Sequence, residues 1–258
     1  MKIAFFDSGI GGLTIFKEAF KDIKADYIYF ADNLNTPYGI KSKEYVKQIV
    51  VGNIRKIVEC GADIIVIACN TATSVAINDL RGEFIDKCII GTEPAVKVAV
   101  DEKLNNKKIL ISATTLTTKE EKLEKLIDKL NVKNRICFIP LDKLVEFAEK
   151  LEFKSNNVIK YLQNKFVDVD FSEYSHLVLG CTHFPFFKEA FRKIVPENIE
   201  IIDSSHGVIK NVKNSIRKLG LIEDNKSNVT LILTKEDNNF IQKFSIITGI
   251  DKYNVKVV

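Results

Sequence analysis

The strongest constraint in this sequence is a rhythm: short apolar runs alternate with amphipathic stretches almost from end to end. Runs at 2–6, 27–31, 63–68, 88–91, 107–112, 135–139, 176–180, 199–202 and 229–233 read as strands. Several are apolar at consecutive positions, as strands buried on both faces are. Between them the spacing turns helical. In 42–59, Val46, Ile49, Val50, Ile54, Ile57 and Val58 follow i, i+3, i+4, and Gly61 offers a stop. Thr118-Lys119-Glu120-Glu121 has capping-box spacing at the head of a helix over 118–131. A further helix is expected over 205–219, ending at Gly220. This alternation predicts an α/β protein with parallel sheets covered by helices. With 258 residues, one large or two small domains fit, and two fits better. The polar stretch 101–108 and the segment around Asp203 are the best places for the chain to cross between domains.

Several function classes are disfavoured early. Lys and Arg number 38 against 34 Asp and Glu, and the excess of +4 is spread out, so no nucleic-acid arm is visible. No segment reaches the roughly 18 apolar residues of a membrane span. The opening Met1-Lys2-Ile3-Ala4-Phe5-Phe6-Asp7 is too short in its apolar run for a signal peptide. A cytosolic location with reduced thiols is therefore expected. The five Cys are odd in number and lack a Cys-x-x-Cys, which supports neither a disulfide framework nor a zinc ribbon.

One internal echo matters. Ile64-Ile65-Val66-Ile67-Ala68-Cys69-Asn70-Thr71 resembles His176-Leu177-Val178-Leu179-Gly180-Cys181-Thr182-His183. Each is an apolar strand, a small residue, a Cys and then hydroxyl or amide residues. Two similar halves would thus each present one Cys at a strand end, where ligands bind in open α/β sheets. A Cys at a helix entry meets free N–H groups and the positive dipole end, which lower thiol pKa. Cys60, Cys88 and Cys137 lie within apolar periodic segments and read as core. Asp7, a carboxylate ending an apolar strand, is costly unless paired or set in a cleft. The Gly-rich turn after it is neither a Walker A nor a dinucleotide fingerprint, and Gly11 and Gly12 could simply permit a tight turn. His183 suits acid–base work better than metal ligation, since a Cys-x-His pair needs further ligands and the chain has three His.

Taken together, the motifs resemble those of glutamate racemases in the aspartate/glutamate racemase superfamily. The resemblance rests on Asp7-Ser8-Gly9-x-Gly11-Gly12-Leu13-Thr14, Ala31-Asp32 with Pro37-Tyr38-Gly39, Ala68-Cys69-Asn70-Thr71-Ala72, Gly91-Thr92-Glu93-Pro94 and Gly180-Cys181-Thr182-His183-Phe184-Pro185. It runs in order from residue 1 to about 207, and the last fifty residues carry no usable motif. Two positions depart. The middle loop, Ala113-Thr114-Thr115-Leu116-Thr117-Thr118-Lys119-Glu120, keeps Thr114 and Thr117 but has Glu where the family has Ser. Asp142-Lys143-Leu144-Val145-Glu146 keeps a Glu but has Lys143 where the family's apolar-Pro-Leu-apolar-Glu segment has Pro.

The resemblance implies two flavodoxin-like α/β domains, pseudo-symmetric, with the active site between them. The expected bounds are 1–96 plus 207–258 for the first and 97–206 for the second. It also implies that Cys69 takes the α-proton of D-glutamate and Cys181 that of L-glutamate. Asp7 would assist Cys69, with His183 and Glu146 near Cys181. Inverting a carbon needs one base per face, so two Cys from two halves suit the task. Ser8, Pro37, Tyr38, Gly39, Asn70, Thr71, Thr114, Thr117 and Thr182 are the expected substrate contacts beside these. The motifs hold no Arg and no pyridoxal-phosphate lysine site but many hydroxyl and N–H donors, so a cofactor-independent enzyme is expected. The implied role is supply of D-glutamate for peptidoglycan, and a homodimer is the assembly the family allows. An aspartate racemase, a single-cysteine decarboxylase and a non-catalytic binding protein are the rival readings.

Overall fold

The computed structural model describes residues 1–101, 107–224 and 226–258, with only the backbone of Lys122. The chain opens with β1 (Lys2–Asp7), α1 (Leu13–Asp22) and β2 (Asp26–Ala31). There follow α2 (Lys43–Glu59), β3 (Ile64–Ile67), α3 (Asn70–Glu83), β4 (Cys88–Gly91) and α4 (Val96–Asp101). The middle holds β5 (Lys108–Ala113), α5 (Thr115–Thr118), α6 (Glu121–Lys129), β6 (Ile136–Pro140), α7 (Lys143–Glu149) and α8 (Asn156–Lys165). The rest is β7 (Tyr174–Leu179), α9 (Lys188–Arg192), β8 (Glu200–Asp203), α10 (Ser205–Lys218), β9 (Asn228–Leu233), α11 (Asn238–Thr248) and β10 (Asn254–Val257). Among the described residues no helix is long and apolar enough to cross a membrane.

The strands form two separate sheets, ordered β10-β9-β2-β1-β3-β4 and β6-β5-β7-β8, and every pairing is parallel. The expected two-domain α/β architecture is the one found. Four strands of the first sheet, β2-β1-β3-β4, repeat the order of the second, β6-β5-β7-β8. That equivalence explains the echo between the two Cys segments, because β3 and β7 hold matching places. It extends to single hydrogen bonds. Ala68 N donates to Phe6 O at 2.7 Å, and Gly180 N to Ser112 O at 2.7 Å; Asp32 N donates to Asp7 O at 2.9 Å, and Leu141 N to Ala113 O at 2.9 Å. The residue before each Cys is thereby tied to the strand beside it at the same register.

The first sheet is buried on both faces, as its consecutive apolar residues require: Ile3, Ala4, Phe5 and Phe6 are fully inaccessible. On one face Phe16 of α1 packs edge-on against Phe5, Tyr27 and Tyr29, with ring centroids 5.4–5.5 Å apart. Phe244 of α11 joins this cluster at 5.7 Å from Phe16, so the C-terminal segment is anchored on the first sheet. After Asp203 the chain enters α10, which packs on α1, β3 and β4. Residues 102–106 of the other expected crossing lie outside the described residues.

Two expectations change. β10 is not visible as a strand in the sequence pattern, because its four residues are exposed and it pairs at the sheet edge with β9 alone. The capping box at Thr118 does not form. Thr118 ends α5, which is capped by Thr114 accepting from Thr117 N at 3.3 Å, and α6 starts at Glu121 without a side-chain cap. Glu120 is unavailable for capping because its carboxylate is held by Lys43 at 2.7 Å.

Candidate active site

Four strand ends meet between the two sheets: those of β1 and β3 from the first, and those of β5 and β7 from the second. Cys69 is the N-cap of the 14-residue α3, and its sulfur accepts from Ala72 N at 3.5 Å. Ser8 Oγ, at the end of the adjacent β1, lies 4.0 Å from that sulfur. Cys181 follows β7 and precedes a short 3-10 turn over 184–187 with Pro185 in its first turn. Its sulfur is 3.8 Å from Nδ1 of His183, whose Nε2 lies 2.8 Å from Glu149 Oε1.

The halves exchange partners across the cleft. Asp7 of the first accepts from Gly9 N at 2.7 Å and from Thr182 Oγ1 of the second at 3.2 Å. Thr71 of the first shares hydrogen bonds with Thr114 and Thr117 of the second, at 3.1 and 3.3 Å. Ile10 N donates to Glu149 Oε1 at 2.9 Å. The Gly-rich turn now has its reason. None of Gly9, Gly11 and Gly12 has positive φ, so the turn itself does not demand them. A Cβ on Gly9 would strike Glu149 Oε1, and one on Gly11 would strike His183 Nδ1 and come within 2.6 Å of Thr182 Oγ1. Glycine is there so that the second half can close onto the loop.

Closure buries the site: Asp7, Ser8, Cys69, Asn70, Thr71, Thr114, Thr117, Cys181, Thr182 and His183 are each less than a tenth exposed. Burial then governs the charges. It pushes the Asp7 carboxyl up to about 6, with Glu149 adding to the rise and His183, Gly9 N–H and Thr182 opposing it. It also drives the Cys69 thiol well above the usual range, helped by Asp7 and by the charge of Cys181, against the Ala72 N–H and Ser8. The lowering expected from the helix entry is therefore overturned at Cys69, because one N–H at 3.5 Å does not offset full desolvation. His183 goes the other way. Burial alone would lower it, but the hydrogen bonds and charges of Cys181 and Glu149 hold it well above the ordinary imidazole value. Glu149 is likewise resisted by burial yet kept below the usual carboxyl range by His183, Ile10 N–H and Lys243.

Most of the residues picked out in the sequence come together here, and Glu146 does not. It sits exposed on α7, while Glu149, one turn later, faces inward to His183. The sequence held the signal: Val145-Glu146-Phe147-Ala148-Glu149 also fits apolar-x-apolar-apolar-Glu, with Glu146 in the place of Pro. Tyr38 is buried, its hydroxyl bonded to Asp32, which also accepts from Asn35 Nδ2 and Thr234 Oγ1. Asp32 thus holds the 37–39 turn against the cleft. A Cβ on Gly39 would fall 2.8 Å from Thr114 Cβ, so the 37–39 turn lies directly against Thr114. Pro37 is half-buried beside them. His176 is buried in β7 near Glu200 and His206 is exposed, both away from this cluster. Among the described residues, the buried Asn70 Oδ1 and Thr36 Oγ1 lack hydrogen-bond partners.

Comparison with known proteins agrees with the geometry. Residues 16–210 match the Asp/Glu/Hydantoin racemase family. The chain is 41% identical over 248 residues to the glutamate racemase of Halothermothrix orenii, spanning 95% of this chain and 97% of that protein. It is 46% identical over 215 residues to glutamate racemase 2 of Bacillus subtilis, spanning 83% of this chain and 81% of that one. In fold it matches the glutamate racemase of Francisella tularensis, crystallised with D-glutamate, with a TM-score of 0.89 at 24% identity over 100% of this chain and 97% of that one.

Proposed function

The chain belongs to the Asp/Glu/hydantoin racemase family and is an isomerase of the glutamate racemase kind, and from that premise we propose that it interconverts L- and D-glutamate without a cofactor, using Cys69 and Cys181 as opposed bases. The observation that carries this reading is the pair of buried cysteines at equivalent strand ends of two matching sheets. They are close enough that charge on Cys181 acts on Cys69.

The charges suggest an order of events. At rest Cys69 is a thiol, held so by burial and by Asp7, while the imidazolium of His183 faces the sulfur of Cys181 at 3.8 Å. With L-glutamate bound, Cys181 takes the α-proton. Cys69 returns a proton to the opposite face, which leaves Cys69 as thiolate and Cys181 as thiol. Starting from D-glutamate the same steps run backwards. Glu149 keeps His183 charged and oriented through Nε2, leaving Nδ1 for Cys181. Asp7, its carboxyl raised by burial, acts on Cys69 and adjusts how readily that thiol gives up its proton.

The planar intermediate carries charge that must be stabilised. Ser8, Asn70, Thr71, Thr114, Thr117 and Thr182 gather hydroxyl and amide donors around the cleft, where burial strengthens them. The unpartnered Asn70 Oδ1 and Thr36 Oγ1 are suited to the substrate's ammonium. Because the site is closed, substrate enters only when the two halves part. Domains over 1–96 with 207–258 and over 97–206 accompany this reading, supported by the pairing of β9 with β2. The D-glutamate made would serve peptidoglycan synthesis in the cytosol, and a homodimer accompanies the family assignment. Incubation with L-glutamate in deuterated water tests the proposal: optical rotation should decay to zero while Cα–H is replaced by deuterium. Exchange with aspartate instead of glutamate, or no exchange at all, would refute it.

A further inference from the structure

The C-terminal fifty residues carry no recognisable motif, yet they send one charged side chain into the site's support. Lys243 lies on α11, is 8% exposed, and its Nζ donates to the main-chain oxygen of Glu149. The neighbouring Phe244 locks α11 to the first sheet through Phe16 and Tyr29, at 5.7 and 5.9 Å. Lys243 therefore reaches from the first half to the last residue of α7 in the second.

A buried ammonium needs strong compensation. Here it meets a helix C-terminus, where carbonyls lack intrahelical partners and the dipole is negative. The same residue that offers this carbonyl also carries the carboxylate between Ile10 N and His183 Nε2. Main chain and side chain of Glu149 are thus gripped from the first half at two points. We propose that Lys243 is a positioning residue for the Cys181 half-reaction: it fixes the Glu149 end of α7 and, through Glu149, the ring of His183 beside Cys181.

This rests on the two-base reading above. With Lys243 absent, burial of Glu149 is opposed by fewer positive groups, and the end of α7 is free to shift. His183 then loses its fixed partner on Nε2, and its Nδ1 no longer stays aimed at the Cys181 sulfur. The hydrogen-bond partners of Cys69 are Ser8 and Ala72 N, not residues of α7, and Glu149 bears on it only at second hand, through Asp7 and the Ile10 end of the loop. The defect should consequently fall mainly on one face of the substrate. A clamp that merely stabilises the fold would affect both faces alike.

The test uses L- and D-glutamate bearing a halide on the β-carbon, where removal of the α-proton expels halide and only one base is needed. In Lys243→Met, halide release from the L-enantiomer should fall about 10-fold, less than loss of an acid–base group itself, while release from the D-enantiomer stays within about 3-fold. Lys243→Arg, which keeps charge and donor, should restore much of the L-side rate. Equal losses on both sides, or an unchanged L-side rate, would overturn the proposal. If the Met variant does not fold, Lys243→Gln is read by the same L-to-D ratio. Wild-type protein that fails to release halide from either enantiomer counts against the two-base reading itself, which separates that failure from this one.

Discussion

Asp7 offers a measurement in which stability and charge can be tied to a single atom group. It is fully buried, and the rise of its carboxyl from 3.8 to about 6 corresponds to about 3 kcal/mol. The sign follows from proton uptake. Between pH 3.8 and about 6 the folded protein binds a proton at Asp7 that the unfolded chain has already lost. Stability from this group is therefore highest below 3.8, falls as pH rises through the window, and is flat above it. Asp7→Asn removes the ionisation while keeping the shape. Its Oδ1 can still accept from Gly9 N, but its amide cannot accept from Thr182, a loss of about 1 kcal/mol at every pH. Urea unfolding of both proteins from about pH 4 to about pH 8 should show the variant gaining about 3 kcal/mol relative to wild type as pH increases. At the acid end it should be the weaker of the two, and at the alkaline end the stronger. A stability difference independent of pH, or one that moves in wild type's favour with rising pH, would show that Asp7 is not held in a desolvated site.

Other consequences can be checked alongside. Cys69→Ser and Cys181→Ser should each lose racemisation by roughly 10²–10⁴-fold, with the Cys181 variant retaining proton removal from D-glutamate analogues and the Cys69 variant from L-analogues; the same enantiomer preference in both would exclude opposed bases. Glu149→Gln should depress kcat by roughly 10²-fold or more, whereas Glu146→Gln, altering an exposed side chain, should leave kinetics within about 2-fold of wild type. Gly11→Ala should fold but lose most activity in a steady-state assay, since its Cβ displaces His183 and Thr182. Glu120→Ser removes the Lys43 ion pair that joins α2 to the α5–α6 loop, and should raise KM while shifting unfolding free energy by less than about 1 kcal/mol, because Lys43 is half exposed.

The layering was legible in the sequence, which also singled out the two thiols proposed as bases. Short, β-branched apolar runs such as Ile64-Ile65-Val66-Ile67 suit a strand covered on both faces, and such strands call for helices packed on a parallel sheet. The repeated strand–small–Cys pattern marked the two thiols because strand ends in such sheets are where side chains meet ligands. β10 escaped notice because an exposed edge strand carries no burial pattern to read. Tertiary structure alone decided which carboxylate serves His183. Glu146 and Glu149 lie three residues apart on one short helix, and only the packing of α7 turns the second inward. It also decided the state of Cys69, since a helix entry lowers a thiol pKa only until full burial outweighs it. Finally, Thr234 reaches Asp32 and Lys243 reaches Glu149 across about two hundred and about one hundred residues of chain. The first follows from β9 pairing beside β2 and the second from how the two sheets close on one another, and no local spacing records either.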